Sequence, residues 1–353
     1  MKIFKLVLLG LSIASAQAWA GCLDTQRLVG VNASGAEFNS AVLPGVVNKN
    51  YVYPTPAELA FIKEQGATVI RLPIRWERIQ RSLKSPLDPS ELILLQQTVQ
   101  SASANGLCVL IDIHNYATYF GDPLTKDPSL QDGFVDLWLR LAREFTDPST
   151  TIFDLMNEPN KIPVADWATL AKRTLAELRR ANAKNIVMVA GGKWSGVHDW
   201  FKDQNGVSNA TAFADLKDPL NRVVLEVHQY VNPYYSGTNA ECLTPDQFDA
   251  MFQNITDWAT ANNQRLFLGE FATSATGNCL LTLEKILQLT DNKVWRGWTY
   301  WATGRWWPTN YPFSLTTTND GISAQWLILK KYFRNSASYK SLNPPNPPSL
   351  KKR

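Results

Sequence analysis

Two glutamates stand where a pair of carboxylates can do acid–base and nucleophilic work. Glu158 lies in Leu155-Met156-Asn157-Glu158-Pro159, and Glu270 in Gly269-Glu270-Phe271. Each closes a short apolar run, so each is presented at the end of an extended segment rather than in its middle. Two carboxyl groups facing one another across a small gap can cleave a glycosidic bond. One protonates the leaving oxygen while the other faces the anomeric carbon. A separation of about 5–5.5 Å implies a covalent intermediate and retention, whereas roughly 6.5–9.5 Å leaves room for water and inversion. Spacing along the chain does not supply that distance.

Four further apolar runs also end in polar or aromatic residues. They are Ile70-Arg71-Leu72-Pro73, Asp112-Ile113-His114-Asn115-Tyr116, Val227-His228-Gln229-Tyr230 and Thr299-Tyr300-Trp301. Six such endings in one chain need a scaffold that gathers strand ends on one face. Short apolar β-rich runs do alternate with amphipathic helical runs throughout. The expected strands cover residues 28–31, 68–74, 108–114, 151–156, 185–190, 223–230, 266–271 and 296–301. Continuous apolar stretches such as Val109-Leu110-Ile111 fit parallel strands buried on both faces. Between them, Thr55-Pro56-Ala57-Glu58 and Thr244-Pro245-Asp246-Gln247 read as capping boxes with proline at the first helical position. Phe134, Leu137, Trp138, Leu141 and Phe145 form one apolar helical stripe, and residues 166–182 and 247–260 read as helices too. Eight β-then-α units without a composition break predict an α/β fold, a single-domain (β/α)8 TIM barrel, with its chemistry at the C-terminal ends of the strands. A doubly wound open sheet is the alternative, but no glycine-rich phosphate loop follows the first strand.

The ends of the chain read differently. Lys2 and Lys5, the apolar run Leu6 to Ile13, and Ala18-Trp19-Ala20 make residues 1–20 an export signal with a small-x-small cleavage site. That run is shorter than the about 20 residues of a membrane-spanning helix. A secreted, extracellular protein with no membrane association in its mature form is expected, lipidation at Cys22 being a lesser variant. Residues 21–340 would be the barrel, and 341–353, with four prolines and a basic end, a tail or linker stub. The formal charge of +4 becomes slightly negative once Lys2, Lys5, Lys351, Lys352 and Arg353 are set aside, so nothing points to nucleic acid. The three histidines, His114, His198 and His228, are too dispersed for a zinc site, and no metal or organic cofactor is expected. Of the four cysteines, Cys242 and Cys279 each follow a strand end on the same side of the fold and are expected to pair. Cys108, in an apolar strand, reads as a buried free thiol, with pairing to Cys22 as the other option.

Thirteen tryptophans in one chain need explaining. Trp138, Trp167, Trp258 and Trp326 fall at helical spacing and are expected to pack. Trp194, Trp306 and Trp307 fall in loops after the fifth and eighth strands, where aromatic faces suit the apolar edge of a pyranose. Trp76 is equally compatible with either part.

In its ordered motifs the chain resembles the family 5 glycoside hydrolases, and among them the microbial endo-β-1,4-glucanases. The matching segments are Gly30 to Phe38 (GVNASGAEF), Ile70 to Arg78 (IRLPIRWER), Ile111 to Tyr116 (IDIHNY), Asn157-Glu158-Pro159, His228-Gln229-Tyr230, Ser236-Gly237-Thr238, Leu268-Gly269-Glu270 and Tyr300-Trp301-Ala302. The resemblance implies Glu158 as acid/base and Glu270 as nucleophile, hence retention. It implies Asn157 on the sugar 2-hydroxyl, Arg71 beneath the nucleophile favouring its charged form, and Tyr230 touching Glu270. His114 and His228 would bind sugar hydroxyls, with Asn115 beside them in the substrate-binding set, and Trp301 would stack under the sugar at the cleaved bond. It also implies a disulfide at Cys242 and Cys279. One segment departs: after Tyr230 the chain reads Val231-Asn232-Pro233-Tyr234-Tyr235, where such glucanases often carry aspartates. The expected activity is endo-acting hydrolysis of β-1,4-glucan by a monomer. The rivals are mannanase or mixed-linkage glucanase activity, and a polysaccharide-binding barrel that does not cleave.

Overall fold

The structure is a computed structural model that describes Cys22, residues 27–316 and residues 322–336. The expected export signal at 1–20 and tail at 341–353 lie outside the described residues.

Eight parallel strands close on themselves: β1 (Leu28–Ala33), β2 (Val69–Ile74), β3 (Cys108–Ile113), β4 (Thr151–Asp154), β5 (Val187–Ala190), β6 (Val223–His228), β7 (Leu266–Glu270) and β8 (Trp295–Thr303). The register is continuous from Val69 opposite Cys108 to Ile74 opposite Ile113, and β8 completes the circle by pairing Leu28 with Gly297. All eight expected strands are present, each within a few residues of its predicted ends. Helices α1 (Pro56–Gln65), α2 (Pro89–Ala104), α3 (Pro128–Glu144), α4 (Val164–Arg180), α5 (Asn209–Phe213), α6 (Asp249–Ala261), α7 (Gly277–Leu289) and α8 (Ala324–Ser336) follow the strands in turn. The (β/α)8 barrel expected from the sequence is the fold. Among the described residues no helix is long and apolar enough to cross a membrane.

The local signals mostly act as their chemistry requires. Thr55 caps α1 with a complete box: its hydroxyl accepts from the Glu58 amide, and Glu58 accepts from the Thr55 amide at 2.7 Å. At Thr244 the expected box does not form. Pro245–Phe248 is a 3-10 turn, and Gln247 Nε2 donates to the Thr244 hydroxyl at 3.1 Å. The tighter turn carries the residue at the third position away from the cap amide. Trp138 and Trp167 are fully buried and donate their indole N–H to Leu155 O and Ala190 O, at 3.1 and 2.7 Å. These outer-helix tryptophans pack as expected and also satisfy carbonyls at or just past the ends of two barrel strands. Trp326 donates in the same way to Leu315 O, in the loop between β8 and α8, at 2.7 Å. Trp258 is half-buried against Trp200, and Trp76 is fully buried against Tyr119 and Phe134, which settles it as a core residue.

Cys242 and Cys279 form the expected disulfide, joining the loop after β6 to the first turn of α7. Cys108 is not a free thiol. It is bonded to Cys22, which leaves no sulfur at Cys22 for a lipid. Cys22 is buried with Leu28, Val69, Leu110 and Phe267 at the N-terminal end of the barrel, and its amide donates to Ser149 O at 3.0 Å. The free-thiol reading failed because eighty-six residues separate the two cysteines, and only barrel closure brings them together.

Candidate active site

Side chains alternate in a strand, so residues two apart share a face. Arg71 follows Val69, Asp112 follows Leu110, Asp154 follows Ile152 and Glu226 follows Val224, each by two. The lower residue of each pair is in the apolar interior cluster. The upper residues converge on one guanidinium. Arg71 is fully buried, with Nη2 3.1 Å from Asp112 and Nε 2.9 Å from Asp154 and 3.2 Å from Glu226. Its outer edge reaches one of the candidate pair: Nη1 donates to Glu270 Oε1 at 2.7 Å and to Asn32 Oδ1 at 3.0 Å, and Nη2 to Asn157 Oδ1 at 2.8 Å. Asn32 is held in turn by donating to Gly269 O at 2.9 Å.

Glu270 ends β7 and is held on both oxygens, because the Tyr230 hydroxyl donates to its Oε2 at 2.8 Å. Gly237 explains part of the Ser236-Gly237-Thr238 motif. Its φ is +66°, and a Cβ there would fall 2.7 Å from the Tyr230 ring, so only glycine lets that ring lie where it meets Glu270. Asn232, at the place where the chain departs from the resembled pattern, shapes the same loop by bonding Ser236 and the Gly237 amide at 2.9 Å each.

Glu158 lies just past β4 at φ +43°, a left-handed conformation uncommon for a residue with a side chain. His228 Nδ1 meets its Oε1 at 2.7 Å, while His228 Nε2 meets Glu226 Oε1 at 2.9 Å. An oxygen of Glu158, a nitrogen of His228 and an oxygen of Glu270 lie within 4.8 Å of one another. Burial pushes the Glu158 carboxyl up, the Glu270 charge adds to that, and His228 works against both. For His228 burial opposes the charge, but Glu226, Glu270 and Glu158 outweigh it and raise the imidazolium well above the ordinary range. His114 goes the other way. Burial lowers it, and the cations Arg71, Arg75 and His228 add to the effect.

The grouping of Glu158, His228 and Glu270 is compact enough for a metal ion. Yet both His228 nitrogens are already engaged by carboxyl groups, Nδ1 by Glu158 at 2.7 Å and Nε2 by Glu226 at 2.9 Å, so neither is left open toward an ion. The three groups suit proton transfer better than metal ligation.

The other expected site residues divide. Asn157 is buried and its Nδ2 has no protein partner, leaving a donor at the site. His114 donates or accepts through Nδ1 at Asp112, 2.7 Å away, and its ring lies near-parallel to Trp301 at 5.7 Å. Trp301 donates to the Tyr311 hydroxyl at 3.0 Å. Trp194 is half exposed, set at φ +63° and edge-on to Tyr116 at 5.9 Å. Trp306 is half-buried. Trp307 is not open on both faces: Tyr311 stacks on it at 4.0 Å, and Phe38 and Trp301 meet it at steep angles. Asn115 is the clear correction. It is fully buried, its oxygen accepts from the Trp76 amide at 2.9 Å, and its nitrogen donates to Glu77 at 2.7 Å, so its groups are taken by the protein.

Asp154 and Glu226 were missed in the sequence, and Asp112 was noted only as part of a strand end. A signal was present: each is a lone acid inside an apolar run, as in Val223-Val224-Leu225-Glu226-Val227. A charge at an inward position of a parallel barrel must be paired, and that requirement points to the buried arginine.

The chain matches the cellulase family, glycosyl hydrolase family 5, over residues 31–305. It is 31% identical to endoglucanase gh5-1 of Neurospora crassa over 79% of this chain and 70% of that protein. Among solved structures, an endo-beta-1,4-glucanase of Xanthomonas axonopodis pv. citri superposes with a TM-score of 0.86 at 38% identity, covering 88% of this chain and 99% of the other. XacCel5A in complex with cellopentaose gives 0.84 at 42% identity, covering 87% and 99%.

Proposed function

This chain belongs to glycosyl hydrolase family 5 and is a glycoside hydrolase, and from that premise we propose that it cleaves internal β-1,4 bonds of a glucan by retaining double displacement. The observation that carries the reading is the carboxylate pair: an oxygen of Glu158 and one of Glu270 approach within 4.8 Å, with Glu270 held by Arg71 and Tyr230 and Glu158 by His228. That approach is on the scale of retaining enzymes and short of the roughly 6.5–9.5 Å that water requires. The substrate class rests on the relatives, which are named as endoglucanases, and on the cellopentaose bound by XacCel5A.

Glu158, kept protonated by burial and by the neighbouring Glu270 charge, gives its proton to the glycosidic oxygen as that bond breaks. Glu270, held by Arg71 and Tyr230, attacks the anomeric carbon from the opposite face and forms an ester. Glu158, now a carboxylate, takes a proton from water as the water's oxygen displaces Glu270 and restores the first configuration. Asn157 Nδ2, which has no protein partner, donates to the sugar 2-hydroxyl. Trp301 supplies a stacking face at the cleaved bond, with Trp194 and Trp306 offering further faces in the loops after β5 and β8. Secretion and a monomeric state belong to the same proposal.

Two measurements test it. NMR of a β-linked glucan digest should show the β-anomer first; initial α-anomer would refute double displacement. Glu158→Ala should slow glucan hydrolysis by about 10²–10⁴-fold yet release a burst of dinitrophenol from dinitrophenyl cellobioside, with azide accelerating turnover to a β-glycosyl azide. Glu270→Ala should instead give the α-azide. Equal behaviour of the two variants would overturn the roles. Greater release of reducing sugar from mannan than from carboxymethylcellulose would move the substrate assignment.

A further inference from the structure

One buried carboxylate in the barrel touches the cation beside each half of the candidate pair and has no assigned part. Glu226 lies on β6 two residues before His228, so both side chains enter the barrel. Its Oε1 is 2.9 Å from His228 Nε2 and 3.2 Å from Arg71 Nε. His228 reaches Glu158 at 2.7 Å, and Arg71 reaches Glu270 at 2.7 Å. A single oxygen therefore lies between the cation that serves Glu158 and the cation that serves Glu270. The barrel leaves a notch for it: a Cβ on Gly269 would fall 1.7 Å from that same oxygen, so β7 needs glycine where the Glu226 carboxylate lies against it.

We propose that Glu226 is a positioning residue that keeps His228 doubly protonated against Glu158, and so sets the pH range over which Glu158 holds its proton. The inference rests on Glu158 being the acid/base. A neutral imidazole has one N–H and one lone pair. The Glu226 carboxylate takes one N–H, and its charge favours a second proton on Nδ1, which lets the ring donate to Glu158 in either protonation state of that group. The other charged groups at this level are Arg71 from β2, Asp112 and His114 at the end of β3, Asp154 from β4 and Glu270 from β7. Burial pushes Asp112 and Asp154 upward, so those two take up protons first. Burial acts on Glu226 as well, but His228 and Arg71 together hold it below the usual carboxylate range. Glu226 therefore keeps its negative charge under conditions where those two are protonated. During turnover Glu270 becomes a neutral ester while Glu158 is left charged, and an imidazolium at His228 is in place to receive that charge.

The chain has three histidines, so nitrogen-detected NMR of labelled protein can resolve each ring. In the wild type His228 should keep both protons through neutral pH. In Glu226→Gln it should titrate within the measurable range, and the basic limb of kcat/KM on an aryl cellobioside should move up by about 1 pH unit. The direction discriminates. Losing a negative charge near Glu158 would by itself move that limb down, whereas losing the His228 proton removes a cation from Glu158 and moves it up. A limb that stays put or moves down, with His228 unchanged, would overturn the proposal even if kcat fell, because a merely structural residue does that. If Glu226→Gln does not fold, the wild type still decides: a His228 found neutral at pH 7 refutes the inference. The ring titration needs no substrate, so its failure is separable from failure of the acid/base assignment, which the Glu158→Ala burst tests.

Discussion

Two layers of inward-pointing side chains fill the barrel one above the other, built from the same strands at a spacing of two residues. Leu28, Val69, Leu110, Ile152, Met188, Val224 and Phe267 make the lower one, with the Cys22–Cys108 disulfide against it. Arg71, Asp112, Asp154 and Glu226 make the upper one, all fully buried. Branched apolar residues are the usual filling of such barrels, so the lower layer does what the fold needs. The upper layer runs against it, since taking several charges out of water costs more than their attraction returns unless each is paired. Asp112 Oδ1, Asp154 Oδ1 and Glu226 Oε2 are buried without protein partners, which marks this layer as strained for polar satisfaction. What the contrast teaches is a division of labour along each strand. The N-terminal half supplies stability, and the C-terminal half spends some of it to hold Glu158 and Glu270 in unequal environments.

The contrast is broken most severely by Arg71→Met. It leaves Asp112, Asp154, Glu226 and Glu270 without their shared cation, and removing one partner of a buried pair typically costs about 3–5 kcal/mol. Denaturant unfolding should show that loss together with collapse of glucan hydrolysis. A folded, active Arg71→Met enzyme would mean that the upper layer is not organised by charge. Leu110→Ala probes the other side. It should cost about 2–5 kcal/mol with kcat unchanged at temperatures where the variant stays folded; a large fall in kcat would erase the distinction between the layers.

A smaller effect sharpens the comparison through pH. Burial, opposed by Arg71 and reinforced by Glu226, raises Asp112 from 3.8 to about 7 in the folded protein. Between those values the folded state binds a proton that the unfolded state releases. That contribution is complete below pH 3.8 and is lost as the pH rises toward 7. Asp112→Asn cannot titrate, so its stability should fall less steeply over this window, by at most about 1.4 kcal/mol per pH unit. Glu37, also raised to about 7 chiefly by burial, keeps that cause in both proteins and loses in the variant only the part due to the Asp112 charge, the least of its causes. Unfolding at pH 4.5 and 6.5 checks it: parallel curves would show that Asp112 is already charged at the lower pH.

Much of this was readable in the residues. Eight apolar runs, six of them with polar or aromatic endings, pointed to the barrel, because strand period and turn chemistry are local. The same endings picked out Glu158, Glu270, Arg71 and His228, because a barrel sends strand ends to one face. Asn115 was misjudged on that logic. It stands beside His114 in the chain, but the turn after β3 directs it back toward Trp76 and Glu77. Trp307 likewise looked like an open sugar platform until Tyr311, four residues on, covered one face.

By itself, then, the sequence determined the architecture and the cysteine pair of the upper loops and singled out two carboxylates as candidates, since each of these follows from local pattern or from neighbours in strand order. Only the tertiary structure decided that Asp112, Asp154 and Glu226 share Arg71, that Cys22 meets Cys108, and that Glu158 and Glu270 approach within 4.8 Å. Those are distances across a closed sheet. They depend on how strands far apart in the chain are staggered around the barrel, and no spacing along the chain encodes that stagger.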